Sequence, residues 1–170
     1  MASTSITLSD LQSQFREAMS SVCTPVSVVT SLADGAPHGT TVSAFASLSM
    51  DPPMVMVALD RGSDLLAVVQ RTGVFGLNIL ASAQSELALN FARKGGSAKF
   101  ETVSWSVEDG VPRLPGAVSF LACDVEQFVD GGDHIVLLGR VRTVEVNTAA
   151  PLTYHARIFG THTAIVQVAS

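Results

Sequence analysis

Two long runs rich in β-branched and apolar residues, Ala117 to Phe128 and Asp133 to Val146, are separated only by Val129-Asp130-Gly131-Gly132. Glycine tolerates the positive φ of a tight turn, so the two runs read as strands joined directly. A connection this short joins antiparallel neighbours, because parallel strands need a crossover of about a dozen residues or more. Upstream, Val26 to Leu32 reads as a strand, followed by an Asp34-Gly35 turn and a strand from about His38 to Ser47. Met54 to Leu59, after Pro52-Pro53, and Val74 to Leu80 read as further strands, and Thr163 to Val168 as the last. No sustained alternation of strand and helix occurs. The expected fold is therefore mainly β: an antiparallel barrel with a few peripheral helices, formed as a single domain over 1–170.

Three helices are expected. Leu8, Leu11, Phe15, Ala18, Met19 and Val22 recur at helical spacing, placing a helix near Ser9 to Ser21 with Ser9 or Asp10 as its cap. Pro25 breaks it. Ser63 to Gln70 reads as a short capped helix. Ser82 to Arg93 reads as another, ended by Lys94-Gly95-Gly96-Ser97, and a loop with Lys99, Phe100 and Trp105 follows.

Composition narrows the function. Of 170 residues, 47% are hydrophobic and 15% charged, which supports a real core, and the net charge is −5. A mean hydropathy of +0.38 is high for a small domain. No apolar run reaches the roughly 18 residues of a membrane helix, so an oligomer interface explains the excess better. Lys and Arg are too few and scattered for a nucleic-acid surface. No secretory signal opens the chain, and Cys23 and Cys123 sit in apolar stretches without metal-ligand spacing. These features predict a cytoplasmic protein with two buried, reduced thiols and neither membrane nor nucleic-acid partners.

Standard catalytic sets are absent: no nucleophile elbow, no Walker loop, no dinucleotide-binding glycine fingerprint. His38, His134, His155 and His162 lack the partners of a metal site, so no metal is expected. A redox role would need a cofactor to carry the chemistry. The informative stretch is Gly39-Thr40-Thr41-Val42-Ser43-Ala44-Phe45-Ala46-Ser47-Leu48-Ser49-Met50-Asp51-Pro52-Pro53. Strict alternation would place Thr41, Ser43, Ser47 and Ser49 on one face. That arrangement suits a flat ring bonded by backbone groups and a phosphate bonded by hydroxyls. Solvent-facing hydroxyls on a half-exposed strand account for the pattern equally well.

The same stretch resembles the signature of the flavin reductase-like family with an FMN-binding split barrel. Further matches follow in order: Ser63 with Leu66; Gly73-Val74-Phe75 with Asn78 and Leu80; Gln84 with Leu87-Ala88 and Phe91-Ala92; Lys99-Phe100; Trp105; Gly116-Ala117; Cys123; Gly132-Asp133-His134; Gly139 with Val141; and Pro151-Leu152 with Tyr154. The resemblance runs from about Phe15 to Phe159. It implies a Greek-key split barrel that dimerises with itself and transfers hydride from NADH, or alternatively NADPH, to FMN or FAD. The reduced flavin would pass to a flavin-dependent monooxygenase component. A flavoprotein holding FMN permanently, for electron transfer or sensing, is the alternative.

The resemblance also implies site residues. Thr40, Thr41, Val42, Ser43 and Ala44 would border the flavin ring. Ser47, Leu48 and Ser49 would lead towards its phosphate, with Phe91, Arg93 and Lys99 completing the flavin site. Arg93 also reads as a cation at a helix C-terminus, and Lys99 as a solvated loop charge. Asp133, His134 and Tyr154 would hold the nicotinamide nucleotide, although Gly132-Asp133-His134 equally reads as an ordinary hairpin turn. Asn78 reads as structural. No side chain is expected to act as a catalytic group, because hydride passes between the two cofactors.

Overall fold

A computed structural model describes residues 7–165. Helix α1 spans Leu8–Ser20. Strands β1 (Thr24–Pro25), β2 (Ser27–Ala33), β3 (Ala36–Val42), β4 (Phe45–Met50) and β5 (Pro53–Asp60) follow. Helix α2 (Asp64–Thr72) leads into β6 (Val74–Ile79), a 3-10 turn (Ser82–Gln84) and helix α3 (Ser85–Ala92). A second 3-10 segment, Gly96–Phe100, precedes the short β7 (Ser106–Glu108) and β8 (Val111–Arg113). The long β9 (Ser119–Gly131) and β10 (His134–Val146) form the expected hairpin, and β11 (Leu152–His155) and β12 (Ile158–Thr161) close the described chain.

The main sheet has the order β3-β2-β6-β9-β10-β5-β4 and is antiparallel throughout. Its two edge strands, β3 and β4, are consecutive in the chain and joined only by Ser43-Ala44. A flat seven-stranded sheet would hold its edges about 30 Å apart. The link from Val42 to Phe45 spans at most roughly 11 Å. The sheet must therefore curl until its edges meet. Ala58 N–H donates to Ala44 C=O at 2.9 Å, which carries the β4–β5 ladder into the two-residue link. The expected strand His38–Ser47 is thus two strands on opposite edges, which no local propensity encodes.

Inside the curl lie Val29, Val57, Phe75, Leu77, Cys123 and Leu137, and α2 contributes Leu65, Leu66 and Val69 to the same core. Val26 and Val28 point the other way, into a second cluster with Leu80, Ala88, Phe91, Phe100, Leu114 and Leu152. β2 is covered on both faces, which explains its continuous apolar run. A Cβ on Gly139 would lie 2.5 Å from Phe75 Cζ, so β10 needs glycine where the Phe75 ring crosses it. Asn78 is fully buried as a structural residue: it donates to Val28 C=O at 3.2 Å and accepts from Leu114 N–H at 2.8 Å.

Several expectations shift. Thr7, not Ser9 or Asp10, caps α1, in a capping box that Asp10 completes; the Thr7 hydrogen bonds hold the Asp10 carboxyl below its usual range. Ser63 sits at the cap of α2 but makes no side-chain capping bond. The hairpin β11–β12 lies where no strand was expected. Residues 163–165 form no strand, and the rest of the expected last strand, 166–168, lies outside the described residues.

The two thiols differ. Cys123 is buried and Cys23 exposed, against the expectation of two buried thiols, because Cys23 follows α1 rather than entering the core. Burial pushes the Cys123 thiol up from 9.0 to about 12, with Arg142 opposing and Asp124 adding to the shift. A raised value means that its contribution to stability is present below pH about 9 and declines as pH rises towards 12. A thiol reagent at pH 8 should modify one cysteine per native chain quickly and the second only after denaturation; two fast thiols would contradict this core.

Candidate functional site

The clefts of the surface converge on the end of β3. One, of about 440 Å³, lies between β3, the β5–α2 connection and the segment after α3; His38, Thr40, Asp60, Ser63, Arg93, Lys94 and Lys99 are among its lining residues. A second, of about 220 Å³, runs along Thr40, Thr41, Val42, Ser43 and Ala44, facing Ala58, Asp60 and His134. A third, of about 300 Å³, is bounded by Thr41, Ser43, Leu89, Tyr154, Arg157 and Phe159. Thr40 belongs to the first two, and Thr41 and Ser43 to the last two.

β3 is an edge strand, so beyond its pairing with β2 its outer N–H and C=O groups have no strand partner. These groups face the second cleft. Val42 points its side chain into the core and offers the cleft only its backbone. The Thr41 hydroxyl is already committed, donating to Ala88 C=O at 2.6 Å. The polar surface here is therefore the backbone together with the Thr40 and Ser43 hydroxyls.

The first cleft carries cations on one wall. Lys99 Nζ donates to Gly39 C=O at 3.0 Å and Phe91 C=O at 3.1 Å, leaving one of its three donors free. Burial lowers the Lys99 pKa, and Asp64 opposes the shift. Arg93 follows the last turn of α3, and its exposed side chain makes no hydrogen bond or ion pair among the described residues. His38 Nδ1 is buried without a partner, and the Ser63 hydroxyl at the start of α2 makes no capping bond. An orphaned buried nitrogen, a free hydroxyl and two available cations match an oxyanion such as a phosphate.

The Gly132-Asp133-His134 triplet turns β9 into β10, and Gly132 takes a positive φ of 71°. His134 Nδ1 and Asp133 Oδ1 lie 2.8 Å apart. That hydrogen bond, with the adjacent imidazole's charge, holds the Asp133 carboxyl below its usual range. It orients the ring and leaves Nε2 as the remaining nitrogen, with His134 lining the second cleft.

The structure brings together Thr40, Thr41, Val42, Ser43, Ala44, Arg93, Lys99 and His134. Asp133 is exposed beside them. Tyr154 is set apart from His134, in the third cleft, where it packs against Phe159 with ring centroids 5.1 Å apart. Phe91 is fully buried against Phe100, so its ring cannot touch a ligand; only its carbonyl serves the site, through Lys99. Ser47, Leu48 and Ser49 line none of these clefts. They left the expected face because the chain changes edges at Ser43-Ala44 and a register shift interrupts β4 between Ser47 and Ser49. His38 and Asp60 were missed: a lone histidine and an aspartate at a strand end carry no local signal. No cluster of metal-ligating side chains occurs among the described residues, and no described helix is long and apolar enough to cross a membrane.

The curled sheet and these clefts define a split-barrel protein with a ligand-sized groove along one strand edge. The model of the flavin reductase like domain matches residues 19–163. The chain is 33% identical over 144 residues to the reductase subunit HsaB of a flavin-dependent monooxygenase from Rhodococcus jostii (strain RHA1), covering 84% of this chain and 73% of that one. Nitrilotriacetate monooxygenase component B from Mycobacterium thermoresistibile superposes with a TM-score of 0.87 at 28% identity, over 92% of this chain and 89% of that one. The NADH:FAD oxidoreductase SgcE6 of Streptomyces globisporus C-1027, solved with NAD and FAD fragments, gives 0.84 at 26% identity, over 99% and 100%. The chain belongs to the flavin reductase-like family.

Proposed function

We propose that this chain is an NADH-dependent flavin reductase that delivers reduced FMN or FAD to a separate monooxygenase. The observation that carries this reading is the outer edge of β3 at Thr40–Val42, continued by the Ser43-Ala44 link, which lines one cleft and adjoins another furnished for an anion. Backbone groups of Thr40–Ala44 would hold the polar edge of the flavin ring, and Arg93 and Lys99 its phosphate. His134, oriented by Asp133, would contact the nicotinamide nucleotide, while Tyr154 would border the third cleft beside Thr41 and Ser43. When bound, the two cofactors would supply the redox chemistry of hydride transfer from nicotinamide to flavin. The protein's part is to align the two rings and to place fixed donors where reduced flavin gains negative charge.

The site is open along β3, which suits a flavin that leaves after reduction. Purified protein should oxidise NADH when free FMN or FAD is added. Folded protein that retains yellow flavin through ultrafiltration yet oxidises no NADH on added flavin would instead mark a fixed-flavin protein.

The same reading includes a cytoplasmic homodimer. α1 has no buried residue, and Leu8, Leu11, Phe15, Met19 and Val22 are all exposed, Phe15 at 65%. Such an apolar stripe on a single chain suits burial against a second copy. Light scattering at micromolar concentration should give twice the 17.8 kDa chain mass, and Phe15→Glu should shift it towards monomer. A wild-type monomer would refute the dimer.

A further inference from the structure

Arg61 lines neither cleft beside it, although its neighbours Asp60, Gly62 and Ser63 do. Its contacts run instead to the turn that carries His134. Its Nε donates to Gly132 C=O at 2.8 Å, its Nη2 pairs with the Asp130 carboxylate, and its backbone N–H donates to Asp133 C=O at 3.0 Å. One residue thus grips the turn at Asp130, Gly132 and Asp133. The cross-strand partner of His134 is Asp60, the residue immediately before Arg61. The strand end that forms the wall of both clefts is therefore tied to the turn bearing the imidazole.

We propose that Arg61 is a positioning residue for the nicotinamide nucleotide: its planar fork fixes the Asp130–Asp133 turn and so sets where the His134 imidazole stands in the second cleft. This rests on the nicotinamide role given above to His134. An exposed ion pair contributes little stability by itself. What matters is the fork, whose donors reach a carboxylate and a carbonyl in one plane. Gly132, at positive φ, makes the turn easy to form but does not hold it in one orientation. The Arg61 bonds supply that constraint from the turn that follows β5.

The proposal separates from a simple charge effect. A lysine keeps the cation but cannot serve Asp130 and Gly132 together. Arg61→Lys should therefore raise the Michaelis constant for NADH on the order of tenfold, as coupled neighbours do. Flavin affinity and thermal stability should stay near wild type. Asp130→Ala, which removes no cation, should shift the same constant in the same direction. In the Arg61→Lys/His134→Ala double variant the two effects should be markedly less than additive. Full rescue by lysine, additive effects, or equal losses of flavin and NADH binding would overturn the positioning role while leaving His134 in place. A His134→Ala variant with unchanged NADH kinetics would overturn both that residue's role and this proposal.

Discussion

Phe91→Ala is expected to destabilise the fold by about 3–5 kcal/mol, the cost of truncating a fully buried aromatic ring. The ring is 0% exposed and meets Phe100 edge-to-face with centroids 4.8 Å apart. It also packs so closely on β3 that a Cβ at Gly39 would lie 3.0 Å from Phe91 Cε1. The surrounding β2, β3 and α3 are held by other contacts and cannot collapse fully into the gap. For a chain of this length the loss corresponds to about 6–20 °C in Tm. Phe91→Leu should retain much of the stability, since it refills part of the volume. The Lys99 anchor on Phe91 C=O belongs to the backbone, so flavin binding should persist wherever the variant remains folded. A Tm within about 2 °C of wild type, together with lost flavin binding, would return Phe91 to the role of a direct cofactor contact.

Arg93→Ala should weaken FMN binding about tenfold or more, the worth of a charge-assisted hydrogen bond of about 1.5–3 kcal/mol. Riboflavin, which lacks the phosphate, should bind almost as before. The difference between the two ligands is the diagnostic quantity, because Arg93 also ends α3, where a cation favours the helix dipole. A helix effect would alter both ligands alike. The exposed position adds a second expectation: the wild-type preference for FMN over riboflavin should shrink as ionic strength rises. Lys94 and Lys99 line the same cleft, so the variant should keep part of the preference. Equal losses for FMN and riboflavin would assign Arg93 to structure alone.

What could be read from the residues was whatever depends on neighbours along the chain. The β9–β10 hairpin follows from two β-rich runs with glycine between them, and the antiparallel class follows from that. α1, α2 and α3 follow from helical spacing and end signals, to within a few residues. Gly39–Pro53 stood out because small hydroxyl residues cluster there in an apolar chain, the resemblance placed its Thr40–Ala44 part beside the flavin ring, and that part does border the clefts.

Tertiary structure decided the rest. The strand expected from His38 to Ser47 is broken at Ser43-Ala44 because the chain passes there from one edge of the sheet to the other, and which strands form the edges is a property of all seven strands. Once the chain changes edges, residue parity no longer tells which side chains share a face, so Ser47, Leu48 and Ser49 part from Thr41. Phe91 looked like a neighbour of Arg93 at the flavin site, yet helix geometry turns its ring into the core. His38, Asp60 and Arg61 lie far from Arg93 and Gly132 in sequence and meet them only through β3, β5 and the turn after β9. Their roles depend on long-range pairing, which carries no periodicity or spacing that a local reading can detect.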